Sequence, residues 1–139
     1  MSGSMTTRSL SPARLASLLL PPVVVMALIF FGSAQASSGD HDLFSLLTRK
    51  LGHVTEYAVL TFCWWRAFTG LGIPRDPRSA IFLAASIALV YAASDEFHQT
   101  FVSGRKGTPV DVVIDSIGIT IAAVYARRRT LGPSRPSAA

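Results

Sequence analysis

Four apolar stretches separated by short polar segments set the pattern of this chain. The first runs from about Leu15 to Gly32, the second from Leu51 to Leu71, the third from Ala80 to about Ala93, and the fourth from Val110 to Ala126. Each approaches the roughly 20 apolar residues a membrane-spanning helix needs, and the third runs on into polar sequence. Ser33 to Asp42 reads as a polar loop, and Gly70 to Pro77, with two glycines and two prolines, as a tight connection. No internal repeat is visible. The pattern predicts an all-α polytopic membrane protein, a compact bundle of about four transmembrane helices. Residues 1–14 form a cytoplasmic N-terminal segment, 15–126 the membrane domain, and 127–139 a basic, Pro/Ser-rich cytoplasmic tail.

Composition agrees with a membrane solvent. Half of the 139 residues are hydrophobic and 15% are charged, and the mean hydropathy is +0.42. The net charge of +5 could suggest nucleic acid, but the basic residues fall in alternate connections, as the positive-inside rule describes. Arg8, Arg14, Arg66, Arg75, Arg78, Arg127, Arg128, Arg129 and Arg135 sort to one side. Arg49, Lys50, Arg105 and Lys106 sort to the other, with every acid except Asp76 and with all three histidines. The expected location is therefore a multi-pass position in a membrane with both termini cytoplasmic. The partners are the lipid bilayer, no nucleic acid, and room for homo-oligomers. The first segment reads as an uncleaved anchor, although Ala34-Gln35-Ala36 imitates a signal cleavage site. Pro21 and Pro22 would kink it. Cys63 is the sole cysteine and reads as a small packing residue.

Helix pairing can be read from small residues. Ala84, Ala88 and Ala92 form a flat stripe on the third helix, and Gly118 and Ala122 repeat the spacing on the fourth. Close approach of these two helices would carry Asp95, Glu96 and His98 towards Asp111 and Asp115. Trp64 and Trp65 beside Arg66 read as an interfacial aromatic belt with a snorkelling cation.

The candidate chemistry lies at the outward ends. His53, Glu56 and Tyr57 fall within one helical turn and share a face. Asp95 aligns with His98 and Gln99, Glu96 with Gln99, and Asp111 and Asp115 sit four apart after the Gly-flanked Arg105-Lys106 turn. The candidate polar cluster is therefore His53, Glu56, Tyr57, Asp95, Glu96, His98, Gln99, Arg105, Asp111 and Asp115. An acidic excess of this kind calls for protonated carboxyls, charged histidines or a bound cation. Asp111, just after Pro109, also suits a helix N-terminus.

These residues carry a resemblance. Lys50-Leu51-Gly52-His53-Val54-Thr55-Glu56-Tyr57-Ala58-Val59-Leu60 resembles the K-x-x-H-x-x-E-Y-x-x-L opening of VanZ-like membrane proteins. The run D-E-F-H-Q-x-F-V-x-G-R-x-G-x-x-x-D-V-x-x-D-x-x-G from Asp95 to Gly118 resembles their second signature. Two positions depart from that pattern: Arg49 stands where many members carry Asp, and Asp115 where many carry Asn. The family is named for a teicoplanin-resistance protein and its members are small bacterial integral membrane proteins. The resemblance therefore implies a bacterial plasma-membrane location and a role at the cell envelope, with glycopeptide resistance as one expectation.

The leading functional expectation is a nonenzymatic protein that binds an amphipathic or lipid-linked envelope ligand at the outer leaflet, with Arg105 engaging an anionic group. The alternatives are an intramembrane hydrolase or transferase acting on a lipid-linked substrate, and a proton-coupled small transporter. His53, Glu56, Glu96 and His98 offer metal-ligand chemistry, but His-x-x-Glu and Glu-x-His are short patterns. No metal site, cofactor or catalytic residue is assigned from sequence.

Overall fold

The computed structural model describes residues 10–35 and 43–132. The expectations placed on Arg8, Ala36, Asp40, His41, Asp42, Arg135 and the Pro/Ser tail lie outside them. Four α-helices run α1 (Pro12–Ser33), α2 (Leu43–Leu71), α3 (Pro77–Gln99) and α4 (Pro109–Leu131). Ser11, Asp76 and Thr108 cap α1, α3 and α4, each just before a proline whose missing N–H costs a first-turn helix nothing.

The four apolar segments become these helices, with one sizeable change of boundary. The second helix begins at Leu43, eight residues before the expected Leu51, so Arg49 and Lys50 lie on α2 and not in a loop. By length and composition α1, α3 and α4 qualify as membrane spans. The 29 residues of α2 are long enough, at about 1.5 Å per residue, to match them. Its polar face lowers its apolarity.

Small and polar residues are frequent inside the bundle, and large apolar side chains cover its outside. Ala84, Ala88 and Ala92 are fully buried, while Leu20, Leu28, Phe31, Phe82, Val90, Val113 and Ile121 are exposed around the bundle. In water such a surface would aggregate; in hydrocarbon it is the favourable arrangement, and small residues let helix backbones approach. This protein is a membrane protein by that criterion as well as by hydropathy.

Ala88 and Ala92 of the α3 stripe pack with Ile29, Tyr57, Leu60 and Ile119 from the other three helices. The Gly118 spacing serves a different neighbour from the one expected. A Cβ at Gly118 would collide with the Val54 carbonyl and lie 3.1 Å from Ala58 N, so this glycine seats α4 on α2 and not on α3. The helix α1 packs on α2 and α3 and makes no contact with α4.

The helix α1 continues through Pro21 and Pro22. A proline at 21 leaves the carbonyl of Ser17 without its helical donor. The Arg66 guanidinium supplies one, its Nη1 donating to Ser17 O at 2.9 Å. Arg66 is thus a tie between α2 and α1, a more specific role than the snorkelling cation expected from sequence. Trp64 stacks on Phe68, and Trp65 packs edge-on to Tyr125 of α4.

Candidate functional site at one end of the bundle

The C-termini of α1 and α3 meet the N-termini of α2 and α4 at one end, and most of the polar residues expected to act together collect there. A cavity of about 270 Å³ opens at this end, lined by Arg49, Lys50 and His53 of α2, by Glu96 and Gln99 of α3, by Arg105 and Lys106 of the following loop, and by Asp111 and Asp115 of α4.

Its floor is His53, Glu96 and Asp115. One ligand atom from each lies within 4.8 Å of the others. His53 Nδ1 stands 3.5 Å from Asp115 Oδ1, beyond the usual 2.7–3.2 Å of an N–H···O hydrogen bond. Asp115 is 1% exposed, and both its Oδ2 and His53 Nδ1 are buried without a hydrogen-bond partner. Glu96 is better held: its Oε1 accepts from Gln99 Nε2 at 3.1 Å and its Oε2 from the Thr108 N–H at 3.1 Å. The loop reaches Glu96 because Gly107 lies so close to the Glu96 carbonyl that a Cβ would not fit.

Around the floor, Asp111 and Asp95 each have partners within the protein. Lys50 Nζ pairs with Asp111 Oδ1 at 2.7 Å. Asp111 Oδ2 accepts from the Thr108 hydroxyl at 2.6 Å while that hydroxyl accepts from Asp111 N, so the acid also completes the N-terminus of α4 as the sequence suggests. Asp95 turns towards α1. Its Oδ2 accepts from Ser33 Oγ at 2.7 Å and from Gln99 Nε2 at 3.1 Å, and its Oδ1 is buried without a partner. Tyr57 is fully buried with its hydroxyl unpaired, in the field of Asp95 and Asp115.

Three more expected members are placed elsewhere or otherwise engaged. Glu56 is exposed on α2: at about 100° per residue it points well away from Tyr57, which takes the buried face. His98 turns to the α1 side, its ring 4.6 Å from that of Phe30. Arg105 lines the cavity, but its guanidinium is committed. It donates to Gln35 O at 2.9 Å, to Gly32 O at 3.1 Å and to Gln99 Oε1 at 3.4 Å. The last turn of α1 has no basic residue of its own, so Arg105 supplies the cation its C-terminal carbonyls favour.

Sequence reasoning did not single out Ser33, Thr108, Gly107 or the Lys50 ion pair. Thr108 before Pro109 carries a legible N-cap signal. Nothing local marks Ser33, whose partner is 62 residues away.

The VanZ/LLP1 family model matches residues 5–130, extending over the first helix as well as the two signatures. No curated protein and no solved structure matches the chain. A four-helix membrane bundle with the two signatures assembled at one end, matched over nearly its full length, belongs to the VanZ/LLP1 family.

Proposed function

We propose that this protein binds an amphipathic envelope ligand at the outer leaflet of a bacterial plasma membrane, in the cavity floored by His53, Glu96 and Asp115. The observation that carries this reading is the cavity's layered charge. Its deeply buried lining residues Glu96 and Asp115 are acidic, and the less buried Lys106 and the engaged Arg49, Lys50 and Arg105 form its basic rim. A ligand presenting an anionic group to the rim and a hydrogen-bond donor, amine or cation to the floor complements both layers. The apolar helix faces beside it suit a ligand with a lipid tail.

The topology that fits is a four-pass bundle with both termini cytoplasmic. Arg66, Arg75, Arg78 and Arg127 to Arg129 then cluster at the end opposite the cavity. The helix α1 is tied in by Ser33 to Asp95 and by Arg105 at its C-terminus, which favours a retained anchor over a cleaved signal. Glycopeptide resistance is the physiological expression to test.

A teicoplanin-sensitive host expressing wild type, Glu96→Gln or Lys106→Ala at matched membrane abundance tests the reading. Lys106 is preferred to Arg105, whose loss would release the end of α1. Wild type should protect and both variants should lose protection. Equal protection by all three would remove the cavity from the function, and no protection by wild type would remove the resistance role.

A second reading, hydrolysis or group transfer on a lipid-linked substrate, rests on the approach of His53 to two carboxylates. It requires product release by wild type and none by Glu96→Gln.

A further inference from the structure

We infer that His53, Glu96 and Asp115 form a binding site for one first-row divalent transition-metal ion at the floor of the cavity. The inference stands apart from the ligand proposed above and is tested without it.

Three helices each bring one donor to the same point: an imidazole from α2 and carboxylates from α3 and α4, all within 4.8 Å of one another. Donors around a tetrahedral ion at about 2.1 Å stand roughly 3.4 Å apart, so the set closes on an ion with side-chain rotations of about 1 Å. The independent sign of a ligand is Asp115. It is 1% exposed, it lines the cavity, and its Oδ2 has no hydrogen-bond partner, as is also true of the neighbouring His53 Nδ1. A buried carboxylate oxygen left unpaired is costly, and coordination is a direct way to satisfy it.

Charge points the same way. The cations next to the floor are occupied elsewhere, Lys50 by Asp111 and Arg105 by the end of α1. Two buried carboxylates thus share a small volume in which His53, 3.5 Å from Asp115, is the nearest basic group, and a divalent ion supplies the charge that one imidazole does not. The surroundings of Glu96 also suit a ligand, since Gln99 and the Thr108 N–H fix its carboxylate as outer partners do in metal sites. One nitrogen and two carboxylate donors favour ions of the manganese-to-zinc series over Mg²⁺ or Ca²⁺, which prefer all-oxygen sites. Three protein donors leave at least one coordination position for the cavity.

The test uses the full chain, tag-free, in nanodiscs, stripped with chelator and titrated with Zn²⁺ alone by calorimetry and elemental analysis. Wild type should take up one equivalent. Asp115→Asn and Glu96→Gln should each weaken binding at least about tenfold, whereas Glu56→Gln, on the exposed face of α2, should bind as wild type does. A second measurement needs no variant: the Co²⁺ adduct of wild type should show one hyperfine-shifted, exchangeable imidazole proton by NMR. Absence of stoichiometric uptake, undiminished uptake by properly inserted Asp115→Asn and Glu96→Gln, or a Co²⁺ adduct without imidazole would each overturn the site.

Discussion

Replacing Gly118 with alanine adds one carbon at the point where α4 rests on the backbone of α2. That carbon would overlap the Val54 carbonyl and sit 3.1 Å from Ala58 N, where ordinary contact begins near 3.4 Å. Neither obstacle is a side chain that can rotate away, so the helices must part by about 1 Å. Overpacking of this kind costs about 1–3 kcal/mol, and a rigid backbone neighbour places it at the upper end. Alanine returns about 1 kcal/mol through its better helix propensity. The balance is a loss of about 2 kcal/mol.

Gly52 provides the matched control, because a Cβ there meets nothing within 4 Å. The same chemical change at Gly52 should be neutral or stabilising by up to about 1 kcal/mol. Equilibrium unfolding in mild detergent, followed by the fluorescence of Trp64 and Trp65, reads both; Trp65 packs against Tyr125 and so reports on the α2–α4 interface directly. The separation also reaches the site. Val54 follows His53, and Gly118 lies one turn beyond Asp115, so parting the backbones draws the His53–Asp115 pair beyond its present 3.5 Å. A Gly118→Ala protein as stable as the Gly52→Ala protein would refute this account of the helix contact.

Two further outcomes follow from the helix ends. If Arg66 serves the carbonyl orphaned by Pro21, Arg66→Ala should cost about 1 kcal/mol in the native background and almost nothing beside Pro21→Ala, whose restored N–H takes Ser17 O itself; equal costs in a double-mutant cycle would break the link. At the opposite turn, Asp76 caps α3, and hydrogen bonds from the Ser79 hydroxyl and N–H hold its carboxyl below the ordinary value. With the folded value depressed, its contribution is complete above the unfolded value of about 3.9 and disappears as pH falls through the folded one. The melting temperature of wild type relative to Asp76→Asn should therefore decline only below about pH 4, and parallel profiles would exclude the cap as the cause.

Much of the architecture is legible in the sequence because it rests on local rules. Apolar runs of spanning length, prolines after capping residues and the alanine spacing of α3 each report on their own helix. Which neighbour a face meets is another matter. Gly118 announces a close approach, yet nothing within α4 says that α2 makes it. Rotation about the helix axis is equally hidden: His53, Glu56 and Tyr57 fit one face by spacing, but the α4 contact through Val54 and Ala58 rotates Tyr57 inward and Glu56 outward. The start of α2 is obscured by Arg49 and Lys50, whose charges read as loop until the partner of Lys50 on α4 is seen. Arg105 shows the same limit, since its acceptors are carbonyls whose availability depends on where α1 ends.

The distribution of these partners decides what chemistry remains for a ligand. Asp95 is held by Ser33 and Gln99, Asp111 by Lys50 and Thr108, and Arg105 by the end of α1. Each of those residues has a structural use sufficient to explain its type. Glu96 also has structural partners in Gln99 and the Thr108 N–H. His53 and Asp115 do not: no helix end or packing surface requires an imidazole and a second buried carboxylate beside Glu96, and leaving His53 Nδ1 and Asp115 Oδ2 unpaired works against stability. A group that destabilises the fold and faces a cavity is better explained by what it binds than by what it supports. An ion on that floor would supply the cation the acidic groups call for and leave the basic residues of the cavity to the ligand's anionic group. The ion and the ligand would then share one cavity, and the zinc titration and the susceptibility assay read them separately.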